Sequence, residues 1–348
     1  MPCYTRLALK AGKLPAELLA RLLARLPGDS RLLLGPGIGR DAAAIDLGAG
    51  RVLVAAADPV TFATEEIGAY AVHVNANDVA CLGARPAWFL PTVLLPEDAA
   101  PELAETIFEQ IRAACAELKI GLAGGHTEVT IGLDRPIIAG AMLGETAAER
   151  LVRPDRCRPG DHVLLTRGIA IEGTALLARE APAALRERGV PEATIAAAAR
   201  LLAEPGISVV GHALAACEAG GVHALHDPTE GGLATALREL AIASGLQVRV
   251  RPQDVTILPE TGAICAALAL DPLGLLASGA LLIAADAGAC EALRNAVPEA
   301  ACIGELARGE GAVIMDTRGE EALPSFERDE LARFFDTLGS QPGAPQAD

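Results

Sequence analysis

Glycine and proline, 36 and 23 of them in 348 residues, cut this chain into short apolar segments of alternating character. Because each breaker ends a helix or interrupts a strand ladder, the segments between them must be brief and must pack on one another. Apolar patterning predicts helices over Ala16–Leu26, Glu65–Leu82, Ala99–Leu118, Val209–Ala219 and Gly232–Ser244. It predicts strands over Arg51–Ala57, Ala87–Leu95, Ile137–Gly144, Asp161–Thr166 and Gly279–Ala285, so the fold class is mixed α/β (α+β).

The length suits two domains, each able to bury its own core. Between two strand candidates, Arg153–Gly160 is polar with two prolines and a glycine, which places the boundary there: residues 1–152 form the first domain and 161–338 the second. Residues 339–348, rich in Gly, Pro, Gln and Ala, are expected to be a disordered tail. Apolar residues make up 51% but aromatics only 3%, so Ala, Leu, Val and Ile must fill the core.

A formal charge of -16 with no basic run argues against nucleic acid as a partner. Neither the N-terminus nor the Ala263–Ala285 stretch, broken by Asp271, Pro272 and glycines, reads as a membrane or secretory segment, so a cytoplasmic protein with no membrane partner is expected. The eight cysteines include no CxxC pair and no Cys/His cluster and are expected to be buried small hydrophobes.

Chemistry concentrates in segments that put a polar group where an apolar run ends. In Gly35-Pro36-Gly37-Ile38-Gly39-Arg40-Asp41 the glycines Gly37 and Gly39 permit close backbone approach to a ligand, or simply a tight turn, with Asp41 just beyond. Asp58 ends a strand, and Asp78 lies in Val74–Ala80, inside a helix otherwise rich in apolar residues, together with Asn77. Buried carboxylates are costly unless paired or bound to metal, so if Asp41, Asp58 and Asp78 converge, a hard cation such as Mg²⁺ bridging to phosphates fits them. Gly124-Gly125-His126-Thr127-Glu128 follows a short apolar run, and His126 is either structural or catalytic. Asp227 in His226–Leu233 precedes a helix whose free N–H groups suit an anion, although Asp227 or Thr229 could equally cap that helix. Lys13 follows Gly12 in an N-terminal arm; it is either an exposed lysine beside a turn or an ammonium near phosphate.

In their order, Gly37-Ile38-Gly39-x-Asp41-Ala42-Ala43, Asp58-Pro59, Asn77-Asp78-x-Ala80-x-x-Gly83-Ala84-x-Pro86, Gly124-Gly125-x-Thr127 and Asp227-Pro228-Thr229-x-Gly231-Gly232-Leu233 resemble the aminoimidazole-ribonucleotide-synthase (PurM)-like superfamily. The resemblance is nearest to its hydrogenase-maturation branch, HypE. It implies a PurM-like fold whose N-terminal sheets pair into a barrel across a homodimer, followed by a C-terminal α/β domain, with ATP near the interface. It further implies Asp41, Asp58 and Asp78 as metal ligands and Lys13, Gly37, Gly39, Asp41, Asn77, Gly124, Gly125 and Thr127 as nucleotide contacts. Asp227 and His126 are the candidates for catalysis.

The implied reaction is ATP-dependent phosphorylation of an amide-like or carbonyl oxygen, with a maturation protein as a further partner. A small-molecule kinase like thiamine-monophosphate kinase and a non-catalytic nucleotide-binding scaffold are the alternatives. The chain departs from the family patterns at Arg40, His126 and Glu230, the last standing where the HypE pattern has Arg. It ends Pro345–Asp348 with its last cysteine at Cys302, so a carbamoyl group carried on its own C-terminal cysteine is not expected.

Overall fold

A computed structural model describes residues 12–61, 65–317 and 319–339. After helix α1 (Ala16–Leu23), the first half folds eight strands into one sheet: β1 (Leu32–Leu34), β2 (Ala42–Gly48), β3 (Arg51–Ala56), β4 (Pro59–Val60), β5 (Arg85–Pro96), β6 (Gly121–Leu122), β7 (His126–Thr130) and β8 (Ile137–Ala147). The order is β1-β2-β3-β8-β5-β6; β4 also pairs with β8 and β7 with β5, and only the β5–β6 and β5–β7 pairs are parallel. Helices α2 (Ile67–Cys81) and α3 (Pro101–Leu118) pack together against one face of this sheet. Along β5 the buried side chains alternate, Phe89, Val93 and Leu95 facing that core, as a strand covered on one side requires.

The second half contains β9 (His162–Thr166), α4 (Ile171–Glu180), α5 (Pro182–Glu187), α6 (Glu192–Ala199), α7 (Val210–Ala219), β10 (Val222–His226) and α8 (Gly232–Ser244). Then follow β11 (Gln247–Val250), α9 (Pro259–Leu268), β12 (Leu282–Ala285), α10 (Cys290–Ala296), β13 (Ala300–Ala307), β14 (Ala312–Asp316), β15 (Gly319–Ala322) and α11 (Glu330–Gly339). Its sheet runs β10-β12-β9-β13-β11-β14-β15, antiparallel except for β11–β14. The two sheets lie within 32–147 and 162–322, either side of the polar stretch expected to divide the chain.

That stretch is not a free linker. Pro154 is buried in a single 3-10 turn, flanked by buried Leu151 and Val152, and it touches β10 and α8. The largest apolar core also crosses it, joining Val72, Ala76 and Val79 of α2 to Val210, Ala213 and Ala216 of α7. Each of these contacts is between small aliphatic side chains, which lets the helices approach closely where aromatics are scarce.

All ten predicted elements are present, with ends shifted by a few residues; β5, for example, extends to Arg85 and Pro96. Among the described residues the cysteines are free and lie buried or half-buried, and no single helix is long and apolar enough to cross a membrane. Of the expected tail, Gly339 ends α11 and residues 340–348 lie outside the described residues.

Candidate active site

Helix α2 builds the floor of the site. Asn75, Asp78 and Cys81 recur every three residues and therefore share one face of it. Asn75 accepts from the Asp58 backbone N–H at 2.9 Å and donates to its carbonyl at 3.1 Å, which fixes Asp58 beside the helix. Gly140 of β8 is required for this: a Cβ there would lie 2.4 Å from the Asn75 amide. Nearly two turns on from Asn75, Cys81 Sγ lies 3.7 Å from Asp227 Oδ1, so α2 of the first half meets the loop after β10 of the second.

The glycine-rich turn delivers Asp41. Gly39 has φ +70°, and a Cβ there would meet the Glu239 carbonyl oxygen at 2.5 Å, so only glycine lets the turn pack on α8. Gly37 likewise lies against the Arg40 side chain, whose Nη1 donates back to the Gly35 carbonyl at 3.3 Å. Asp41 Oδ2 is then 2.7 Å from His226 Nδ1, and His226 Nε2 is 3.0 Å from Glu239 Oε2. The arm closes the network: Lys13 Nζ donates to Glu239 Oε1 at 3.2 Å and its backbone N–H donates to Glu230 Oε1 at 3.1 Å.

The electrostatics divide these acids into two groups. Burial works against charge on Asp41, but His226 and Lys13 outweigh it and hold its carboxyl below the ordinary range. Burial also opposes charge on His226, yet Asp41 and Glu239 keep the imidazolium well above the usual histidine value. On the other side, burial pushes Asp58 up to about 6, with Asp41 adding repulsion. Asp227 rises to about 7 through burial and the nearby Asp41 charge. Asp78 rises well above the ordinary range through burial and the charge of Asp227.

Asp78 and Asp227 are each 2% exposed, and the Oδ2 atom of each is buried without a hydrogen-bond partner. Such orphaned oxygens are costly unless a cation or a ligand donor satisfies them. Asp41 and Asp227 also offer carboxylate oxygens within 4.8 Å of each other, with His226 held beside them by Asp41 and Glu239. A set dominated by hard carboxylate oxygens fits Mg²⁺.

The remaining expected residues are placed differently. Asn77 is fully buried, donates to the Ile207 carbonyl at 2.9 Å and accepts from the Val209 N–H at 2.8 Å. With both amide atoms engaged, it clamps α2 to the loop before α7. His126 and Thr127 lie exposed on β7, with His126 Nε2 3.0 Å from Glu128. Register places Pro59, Ala139, Thr92 and His126 across four adjacent strands, so His126 is about 14 Å from the Asp58 end and outside the acid cluster. Gly124 and Gly125 lead into β7 with φ of +152° and +147°, and a Cβ on Gly125 would lie 2.2 Å from the Pro91 carbonyl oxygen.

His226 and Glu239 were not singled out from the sequence. The signal was present: His226 directly precedes Asp227, and Glu239, seven residues after Gly232, falls on the helix face that Gly232 begins.

Two consecutive α/β halves with carboxylates converging between them define a class, and family models agree. Residues 39–146 match the AIR synthase related protein N-terminal domain, and residues 158–316 match its C-terminal domain. The chain belongs to the AIR synthase related family. Within it, the chain is 32% identical over 290 residues to carbamoyl dehydratase HypE of Cupriavidus necator, covering 80% of this chain and 78% of that one. A crystal structure of hydrogenase maturation protein HypE in complex with ATP superposes with a TM-score of 0.67 at 27% identity, covering 85% and 92% of the two chains. A HypE–HypF complex shares the fold at 22% identity and a TM-score of 0.68, covering 83% and 94%. The chain is thus an ATP-dependent enzyme of the HypE-like branch.

Proposed function

We propose that the protein uses Mg·ATP to phosphorylate an amide-like or carbonyl oxygen of its substrate and then expels the phosphate, as a dehydratase acting on a carbamoyl group would. The observation that carries this is the pair Asp78 and Asp227, brought together from the two halves with an orphaned buried oxygen on each. Asp58 and Asp78, with Asp41 at the rim, would hold Mg²⁺, which supplies charge neutralisation for the phosphate oxygens. Lys13 and His226 place two cations around Asp41 and limit its repulsion of a triphosphate.

Asp227 is suited to the proton work. Attack of a carbamoyl oxygen on the γ-phosphorus requires the amide nitrogen to lose a proton, and expulsion of phosphate to give a nitrile requires loss of the second. A carboxyl poised at about 7 can accept a proton near neutrality and release it again. The backbone of Gly124–Thr127, exposed on β7, is proposed to contact the nucleotide beyond its phosphates.

We also propose a homodimer. Trp88, Leu122, Val129 and Ile131, on or just beyond β5, β6 and β7, are 41%, 51%, 61% and 78% exposed, an apolar edge that a second copy would cover. A hydrogenase-maturation partner delivering the substrate is part of the same proposal.

The test is to supply carbamoyl-bearing substrates with ATP and follow ADP and free phosphate. Equal release of both, abolished by excess chelator, is expected. A stable phosphorylated product would favour a kinase, and tight ATP binding without ADP release would favour a scaffold.

A further inference from the structure

Far from Asp227, three side chains converge that the proposed reaction does not use. Asp161 precedes β9, His223 lies in β10 and Asp286 follows β12. The pairings Val222↔Ala285 and Ala285↔His162 set them side by side across three neighbouring strands. His226, at the active-site end of β10, is three residues further along the strand, about 10 Å away.

Asp161 is buried, and its Oδ2 accepts from the Arg158 N–H at 2.7 Å and lies 2.7 Å from His223 Nδ1. The Arg153 N–H donates to the His223 carbonyl at 3.2 Å, so both ends of this contact are fixed. A carboxylate so placed keeps the proton on Nδ1 and leaves Nε2 as a lone pair, the arrangement found where a histidine ligates a metal. That lone pair faces Asp286 Oδ2 at 3.6 Å, beyond hydrogen-bond reach. Two ligands at about 2.1 Å from one tetrahedral ion lie about 3.4 Å apart, close to this separation. The three groups present donor atoms within 4.8 Å of one another. Asp161 and Asp286 border a surface depression of about 720 Å³, also lined by Arg158, Gly220 and Gly221, from which water could complete the coordination.

We infer that His223 and Asp286, with Asp161 orienting the imidazole, form a second divalent-cation site, distinct from the nucleotide-linked Mg²⁺ site. An imidazole nitrogen favours a borderline ion such as Zn²⁺ over Mg²⁺. The competing arrangement is an imidazolium held between two carboxylates, which needs no metal.

Equilibrium dialysis of the full chain against Zn²⁺, with saturating Mg²⁺ and a non-hydrolysable ATP analogue filling the active site, tests this by metal analysis of the retained protein. The C290S variant serves as background, removing the thiol 3.1 Å from nearby His162 as a rival ligand. One retained zinc is expected, with affinity at least tenfold weaker in both H223Q and D286N and about 10–100-fold weaker in D161N. Asp286 is half exposed, so D286N keeps the test open if H223Q fails to fold. No zinc retained by the C290S protein, or equal retention by D286N, would overturn the site.

Discussion

Replacing Asp227 by Asn should make the ligand-free protein more stable while disabling it. The carboxyl is buried and its folded pKa is about 7, against 3.8 ordinarily, through burial and the charge of Asp41. The gap of about 3 units corresponds to about 4 kcal/mol at about 1.4 kcal/mol per unit. The sign follows from linkage. The unfolded chain loses this proton near pH 4 and the folded chain only near pH 7, so the native state is penalised progressively across that window and fully above it. Asn is nearly isosteric and carries no charge. Part of the repulsion belongs to Asp78 and Asp41, which remain, so a gain of about 2–4 kcal/mol is expected at pH 8, falling to about 1–2 kcal/mol at pH 5. Scanning calorimetry of wild type and D227N at both pH values, without Mg²⁺ or nucleotide, measures it. No gain at pH 8, or an equal gain at both, would refute the claim that uncompensated charge strains this site.

Further outcomes follow from the same geometry. Asp78→Asn removes a hard anionic ligand and should weaken Mg·ATP binding by about 1–3 kcal/mol, whereas Asp227→Asn should leave it nearly intact and depress turnover. Calorimetric titration of both variants decides this, and equal losses of binding would show that nucleotide and chemistry sides are not separate. Gly125→Ala drives a Cβ to 2.2 Å from the Pro91 carbonyl oxygen, so β7 must lift from β5, at a cost of about 1–3 kcal/mol in urea denaturation. Asn77→Ala removes both bonds of the clamp to Ile207 and Val209 and should destabilise the protein by about 1–3 kcal/mol; an unchanged urea midpoint would contradict that role. Ile131→Asp places a charge on the most exposed apolar side chain of the β5–β7 edge; light scattering at micromolar concentration is expected to give a dimer for the wild type and a monomer for this variant, and a monomeric wild type would refute the proposed dimer.

Local chemistry made much of this protein legible from its sequence. Breaker residues and apolar period marked ten elements, because backbone sterics act within a few residues. The cost of burying an acid singled out Asp78 in an apolar helix, and its environment in the fold bears out that oddity. What local pattern could not assign was which face of α2 each polar side chain would use. Asn77 and Asp78 are neighbours in sequence, yet one turns to the loop at Ile207–Val209 and the other to Asp227. Nor could it tell that His126, flanked by glycines and acids, would lie on an exposed strand while His226 would bridge Asp41 and Glu239. Those outcomes depend on contacts such as Cys81 with Asp227, 146 residues apart, which form only when α2 and α7 share one apolar core. The tertiary structure alone decided which acids meet, because packing between distant segments sets both their distances and the burial that raises the pKa of Asp58, Asp78 and Asp227.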